Sequence, residues 1–406
     1  MICRYLFLAL AALAAFAGCG GTATQVTPPP PGAQKKLYYV VQNLGSLGGR
    51  GCCQGPTLNN DIGWVDGESN LPGNKTYHPF LWRNGVMLDL GTLGGPHANV
   101  GGMNDHGIVT VGGSDTGTPD PLGEDFCGYG THQTCLSFIW DRGKRTRLPT
   151  LGGNNNDVAD VNNNGLVVAF AETKVRDRSC VPPQVLDYEG FTWESATKKI
   201  HQVLPPLKGD TVSEASGINE RGDTVGYSGV CGPIFSIGIS YHAVLWKRGG
   251  PIDLGNLGGT IANNAYWINN HDQVVGASAL RGNKTAHAFL WQNGAMSDLG
   301  VLPGDHLSSA GGINNAGQIV GESCKSVADY PHDCRMFIWE NGAMTDLNTL
   351  VRPASSLHLI HWGGINQHGD IVGQAYDRAT GVSVPFLAIR CDPKDLLPKA
   401  CTQGAH

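Results

Sequence analysis

The chain has 406 residues, 58 of them glycine; only 15% are charged and the net charge is −6. Low charge and the lack of Ala/Glu/Lys/Leu-rich periodic blocks exclude a coiled coil, and the lack of clustered Lys and Arg excludes a nucleic-acid partner. A hydrophobic share of 41% excludes a charge-driven disordered chain, and so much glycine points to many tight turns and an all-β protein.

Arg4 precedes an apolar run from Tyr5 to Ala17, the pattern of a secretory signal over residues 1–18. The run is shorter than the roughly 20 residues that a membrane span needs. Phe16-Ala17-Gly18-Cys19 resembles the lipobox of bacterial lipoproteins, with Phe16 where Leu is usual. That resemblance implies lipid on Cys19 and, with Gly20 rather than Asp next to it, an outer-membrane or cell-surface location. Cleavage after Ala17 with release of the chain is the competing reading. Residues 19–36, with Pro28 to Pro31, read as an extended tether.

The next segment, Tyr38 to Gly45, reads as a single strand without a partner. After it the chain repeats. Phe-x-Trp recurs at Phe80, Phe138, Phe191, Phe289 and Phe337, with Val244-Leu245-Trp246 and a final Phe386-Leu387-Ala388 as variants. Each copy is preceded by a Gly-Ile-Asn-Asn…Gln-Ile-Val-Gly element, clearest at Gly312 to Ser323. Each but the last is followed by Asp-Leu-Gly-x-Leu-Gly-Gly or a relative of it, as at Asp89 and Asp253. Four short strands, a to d, account for one unit. Asn-x-Gly and Asn-Gly links supply the positive φ that hairpins require. In Phe-x-Trp both strand faces are apolar, so strand c is buried on both. Stacked four-stranded sheets do that. The seventh unit lacks strand d, and the orphan N-terminal strand supplies one. The fold class expected is therefore all-β, a seven-bladed β-propeller over 37–391, with a tail at 392–406. An open β-solenoid, the rival, does not need complementary termini.

Beyond Cys3 and Cys19, ten cysteines remain, an even number that reads as disulfides in an exported chain. Cys127–Cys135 and Cys324–Cys334 are local pairs, and Cys391–Cys401 would pin the tail. Cys180–Cys231 is one pairing among the rest, and adjacent Cys52 and Cys53 have no assigned partners.

These units resemble the HAF repeat family of extracellular bacterial proteins, named for a His-Ala-Phe motif present here as His287-Ala288-Phe289, with His242-Ala243-Val244 and His78-Pro79-Phe80 as variants. The resemblance covers about Leu37 to Arg390. It implies an exported repeat protein and carries no agreed activity. The cysteine-bearing inserts depart from the compact repeat.

The links between strands b and c vary: Ser114 to Leu136, Glu172 to Gly190, Ser228 to Tyr241 and Ser323 to Arg335. Variable loops on a rigid scaffold are where binding concentrates. Four residues before each Gly-Ile-Asn isoleucine lie Gln54, Asn99, Asp157, Glu214, Asn264, Ser309 and His361, a polar ring expected at the channel mouth on that face. Asp157, Glu214, Asn99 and Asn264 form an oxygen set that calcium would take. A water-filled polar funnel explains the same residues. Asp160-x-Asn162-x-Asn164-Gly165 fits the start of a calcium loop, but its twelfth position is Ala171, so a hairpin turn is the better reading. Asn59, Asn104, Asn162, Asn219, Asn269, Asn314 and Asn366 are read as turn formers bonded to backbone. His78, His242 and His287, a blade apart, would cap strand edges. No catalytic motif stands out. The function expected is a non-catalytic, surface-tethered monomer binding an extracellular protein or polysaccharide. The alternative is a metal-dependent hydrolase or lyase at the channel mouth.

Overall fold

A computed structural model describes residues 37–50, 55–231, 240–326, 330–392 and 399–403. The leader, tether, Cys52, Cys53 and Gln54 lie outside them. Seven antiparallel four-stranded sheets follow one another along the chain, each in the order a-b-c-d. In the seventh, the N-terminal strand Tyr38–Asn43 pairs with strand c, Val382–Cys391, joining Tyr38 to Cys391 and Asn43 to Phe386. The ring thus closes through the two ends of the propeller, as the complementary termini predict.

Alternation along strand c explains the packing. In the fifth blade Phe289 and Trp291 join a cluster with Val225 and Leu245 of the fourth. Leu290, between them, joins Ile319 and Phe337 of the sixth. Each sheet therefore buries both faces, and the low charge of the chain follows from that stacking. The Leu-Gly-Gly exits dock on the next blade: the amides of Leu93 and Leu257 donate to Ser114 Oγ and Ser278 Oγ at 2.8 and 2.9 Å.

His78, His242 and His287 each contact an Asp at or near the end of strand d of the same blade, with Nδ1 2.9, 2.9 and 3.0 Å from Asp89, Asp253 and Asp298. They tie strand c to the outer strand, as edge caps. Among the described residues four disulfides form, Cys127–Cys135, Cys180–Cys231, Cys324–Cys334 and Cys391–Cys401, with Cα separations of 6.1, 4.4, 4.0 and 5.7 Å. The last ties a short helix, Lys399–Gln403, to strand c of blade seven.

Two of the inserts are more regular than the sequence suggests. Strand b of the second blade runs from Ile108 to Pro119 and that of the third from Leu166 to Arg176, so the b–c hairpins rise as ribbons before they turn.

Candidate functional site

On the face of the a–b turns, the asparagines close a ring. The Nδ2 of Asn60 donates to Asn104 O, Asn104 to Asn162 O, Asn162 to Asn219 O, and so on through Asn269, Asn314 and Asn366, which returns to Asn60 O. The Oδ1 of each meanwhile holds its own turn; Asn162 Oδ1 accepts from Asn164 N and Leu166 N at 3.1 and 3.0 Å. The member from the first blade is Asn60. Asn59, expected from the sequence, instead donates to Asp370 O at 2.9 Å. A second ring lies beside the first: Asp61 N donates to Asp105, Asp105 N to Asn163, Asn163 N to Glu220, and the circle closes from Gln367 N to Asp61. The two rings border a cavity of about 200 Å³ floored by Leu58, Met103, Val161, Ile218 and Ile313. The calcium-like run dissolves into this scheme. Asp160 accepts from Val161 N and Ile218 N, and Asn164 reaches Glu220 O, so their oxygens diverge.

The opposite end of the channel carries the polar ring. Asn60 rather than Asn59 being the ring member, the first-blade equivalent of Asp157 and Glu214 is Gly55, one residue beyond Gln54. Gly55 pairs with Glu68 as Glu214 pairs with Tyr227 and Ser309 with Glu322. The residue after the strand-b glycine (Val-Gly in four of these blades, Asp66-Gly67 in the first) therefore faces the ring position in register. That offset, read down the repeats, gives Glu68, Tyr227, Ala277, Glu322 and Gln374, and it would have found the carboxylates that strand a alone does not.

Two arcs result. The first is acidic. Asn99 Nδ2 meets Asp157 Oδ2 at 3.3 Å, while Asp157 Oδ1 accepts from Gly113 N and Val158 N at 2.6 and 2.7 Å. Glu68 Oε1 accepts from Val100 N at 3.3 Å, and Glu214 Oε2 accepts from Tyr227 OH at 3.0 Å. Burial pushes Glu68 up to about 8, Asp157 to about 6 and Glu214 to about 7, and the charge of Asp157 raises both of the others. No Lys or Arg pairs with any of the three among the described residues.

The second arc is aromatic. Tyr266 of the fifth blade lies 5.8 Å from Trp362 of the seventh, ring centre to ring centre. The sixth blade permits this because Gly311 stands between them; a Cβ there would fall 1.9 Å from the Trp362 ring. His361 packs on Trp362, and its Nδ1 lies 2.5 Å from Glu322 Oε2 and 2.9 Å from Tyr330 OH. Tyr330 also donates to Glu322 Oε1 at 3.0 Å. The ring position is thus less uniformly polar than the sequence suggests. Asn264 and Ser309 are half-buried, Asn264 opposite Ala277 and Ser309 opposite Glu322.

Calcium takes six to eight oxygens. Asp157 already receives three protein donors and Glu214 one, and no group of three His, Cys, Asp or Glu ligands containing either converges among the described residues. The donor set does not fit that ion.

The b–c ribbons stand around this mouth and pack on one another. Phe126 lies 5.7 Å from Phe170 and 6.3 Å from Tyr188, beside both the Cys127–Cys135 and Cys180–Cys231 bridges. Glu124 Oε1 accepts from Val185 N and Leu186 N at 2.7 and 2.9 Å, joining the second-blade loop to the third. These loops carry a small core of their own and are preorganised.

No family model matches the chain, and no curated protein matches it. Solved structures similar to it include the β-propeller domain of the Trilobed protease from Pyrococcus furiosus, at 8% identity over 86% of this chain and 93% of that one, with a TM-score of 0.49. The acylaminoacyl peptidase of Pyrococcus horikoshii is 9% identical over 86% of this chain, with a TM-score of 0.48, and the chain spans about half of that protein, 52%. YCF48 bound to D1 peptide is 8% identical over 86% of this chain and 94% of that one, with a TM-score of 0.45.

Proposed function

We propose that the chain is an exported, surface-tethered, non-catalytic binding module of the HAF repeat kind, whose extracellular ligand seats on the face of the b–c loops. One observation carries this reading: rigid, disulfide-stapled ribbons and a channel mouth with opposed acidic and aromatic arcs lie at the same end of the molecule. Concave sites lined by aromatic groups with a few convergent polar ones are the usual form of a ligand pocket. Four disulfides suit an oxidising compartment, in keeping with the leader and Cys19. A polysaccharide suits the mouth better than a flat protein surface, because sugar rings stack on aromatic faces while their hydroxyls meet carboxylates and amides.

Trimming the loops would expose Phe170 and Tyr188, so the test is by substitution. Tyr330→Ala and Val181→Asp alter side chains that are 48% and 49% exposed. On a glycan and protein array the wild-type protein should bind a ligand that Tyr330→Ala loses with the melting temperature unchanged. Undiminished binding by both variants would place the ligand elsewhere.

A further inference from the structure

We infer that the acidic arc receives a protonated amine, and that the ligand of this face is a glycan carrying free amino sugars. The inference rests on the reading of this face as the ligand face and names what it recognises.

The unsatisfied atoms of the arc are oxygens, acceptors once the carboxyl is ionised. Glu68 is 4% exposed, and its Oε2 has no partner; Asn99 Oδ1, buried beside it, has none either. Each is held in place by its other atom, Glu68 Oε1 on Val100 N and Asn99 Nδ2 on Asp157. Glu214, on the fourth blade beyond Asp157 of the third, brings a further carboxyl to the arc. Buried acceptors left without donors cost free energy, and a group bringing several N–H donors and a positive charge relieves that cost. An ammonium carries three donors and no acceptor. A neutral hydroxyl brings no charge to draw the buried carboxyls into their ionised form, whereas an ammonium does so and displaces their protons.

The other half of the mouth supplies the rest of the ligand's recognition. Tyr266 and Trp362 offer ring faces, and both Glu214 and Glu322 act electrostatically on Tyr266, so the two arcs lie within reach of one small ligand. Cations are attracted to Trp and Tyr faces, and saccharide rings stack on them. Arginine-rich or lysine-rich peptides share the charge but lack a rigid ring for this arc. The titratable groups around the three carboxyls include Tyr129, from the second-blade loop, Asp66 beside Glu68, and Tyr227, Tyr188 and Tyr266 beside Glu214; none of these supplies a competing cation.

The probe is a β-1,4-linked glucosamine oligomer, titrated calorimetrically into the full-length protein beside its N-acetylated counterpart and an oligolysine peptide. The glucosamine oligomer should bind at least about tenfold more tightly than the acetylated one. Glu68→Gln and Glu214→Gln, which keep shape and one acceptor, should each lose roughly 10- to 100-fold, the range of a charge-assisted bond. Binding should also release protons, read as a heat that changes with buffer. Equal affinity for both sugars would overturn the inference, as would tight oligolysine binding without glucosamine binding. If a ligand that Tyr330→Ala abolishes is untouched by Glu68→Gln and Glu214→Gln, the face stands and the amine falls. If none of the three variants matters, both fall.

Discussion

The side-chain amide of Asn366 donates to the main-chain carbonyl of Asn60 at 3.2 Å, across 306 residues. That bond completes the circle of asparagines and welds the last blade to the first on the face opposite the b–c loops. Asn162 makes three such bonds while 5% exposed. At a net of about 1 kcal/mol each, Asn162→Ala should destabilise the fold by about 2–3 kcal/mol in denaturant melts. Asn164→Ala, on the exposed side of the same turn, should change it by no more than about 1 kcal/mol.

The disulfides differ in what they constrain. Cys180–Cys231 spans 51 residues and Cys324–Cys334 spans 10. Loop-closure entropy then makes the first worth about 4 kcal/mol and the second about 3 kcal/mol. Serine pairs replacing each bridge in turn, compared by denaturant titration, should show the larger loss at Cys180–Cys231.

Gly311 lets the aromatic arc form. Adding a methyl group there drives into the Trp362 ring, and overpacking of this kind costs about 1–3 kcal/mol. Gly311→Ala should therefore lower the melting temperature and weaken ligand binding together. Gly342→Ala, in a c–d turn at φ +80°, should strain its turn and lower the melting temperature yet leave binding unchanged.

Much of this was legible from sequence because repeats expose their own grammar. The seven blades, the closing strand, three local disulfide pairs and the histidine edge caps follow from aligned motifs and local chemistry, whereas the Cys180–Cys231 pairing and the Asp partners of the histidines do not. What the alignment missed is relational. The first blade carries no Gly-Ile-Asn, so counting back from Leu58 put the ring asparagine and the channel position one residue early, at Asn59 and Gln54. The asparagines were legible as turn formers, yet their Nδ2 bonds cross to the next blade, which a motif read alone does not reveal. Glu68 and Glu322 lie on strand b, and only the strand register brings them to the ring position. Tyr266 and Trp362 meet across an intervening blade, a contact that depends on the closed circle.

Stability should depend on pH with an unusual sign. Glu68, Glu214, Asp160 and Asp157 hold protons up to about 8, 7, 7 and 6 in the folded protein, because burial disfavours their charged forms. Unfolded, such groups titrate near about 4. Between those values the folded state binds more protons, so their stabilising contribution is full below about 4 and is lost as pH rises through 6 to 8. Asp89 and Asp272, held low by His78 and Lys247, act in the opposite sense at the acid end. Melting temperature measured against pH should peak near about 5 and decline toward 8. A steady rise from 5 to 8 would contradict the burial of these carboxyls.

The location of the ligand is decided most directly by a crystal structure of the full-length protein with cell-wall glycan fragments. Density is expected at the loop-face mouth of the channel, with a nitrogen against Glu68, Asn99 and Glu214 and a sugar ring on Trp362 and Tyr266. Density in the asparagine-ringed cavity or along the outer strands, with the loop-face mouth holding no sugar, would contradict it.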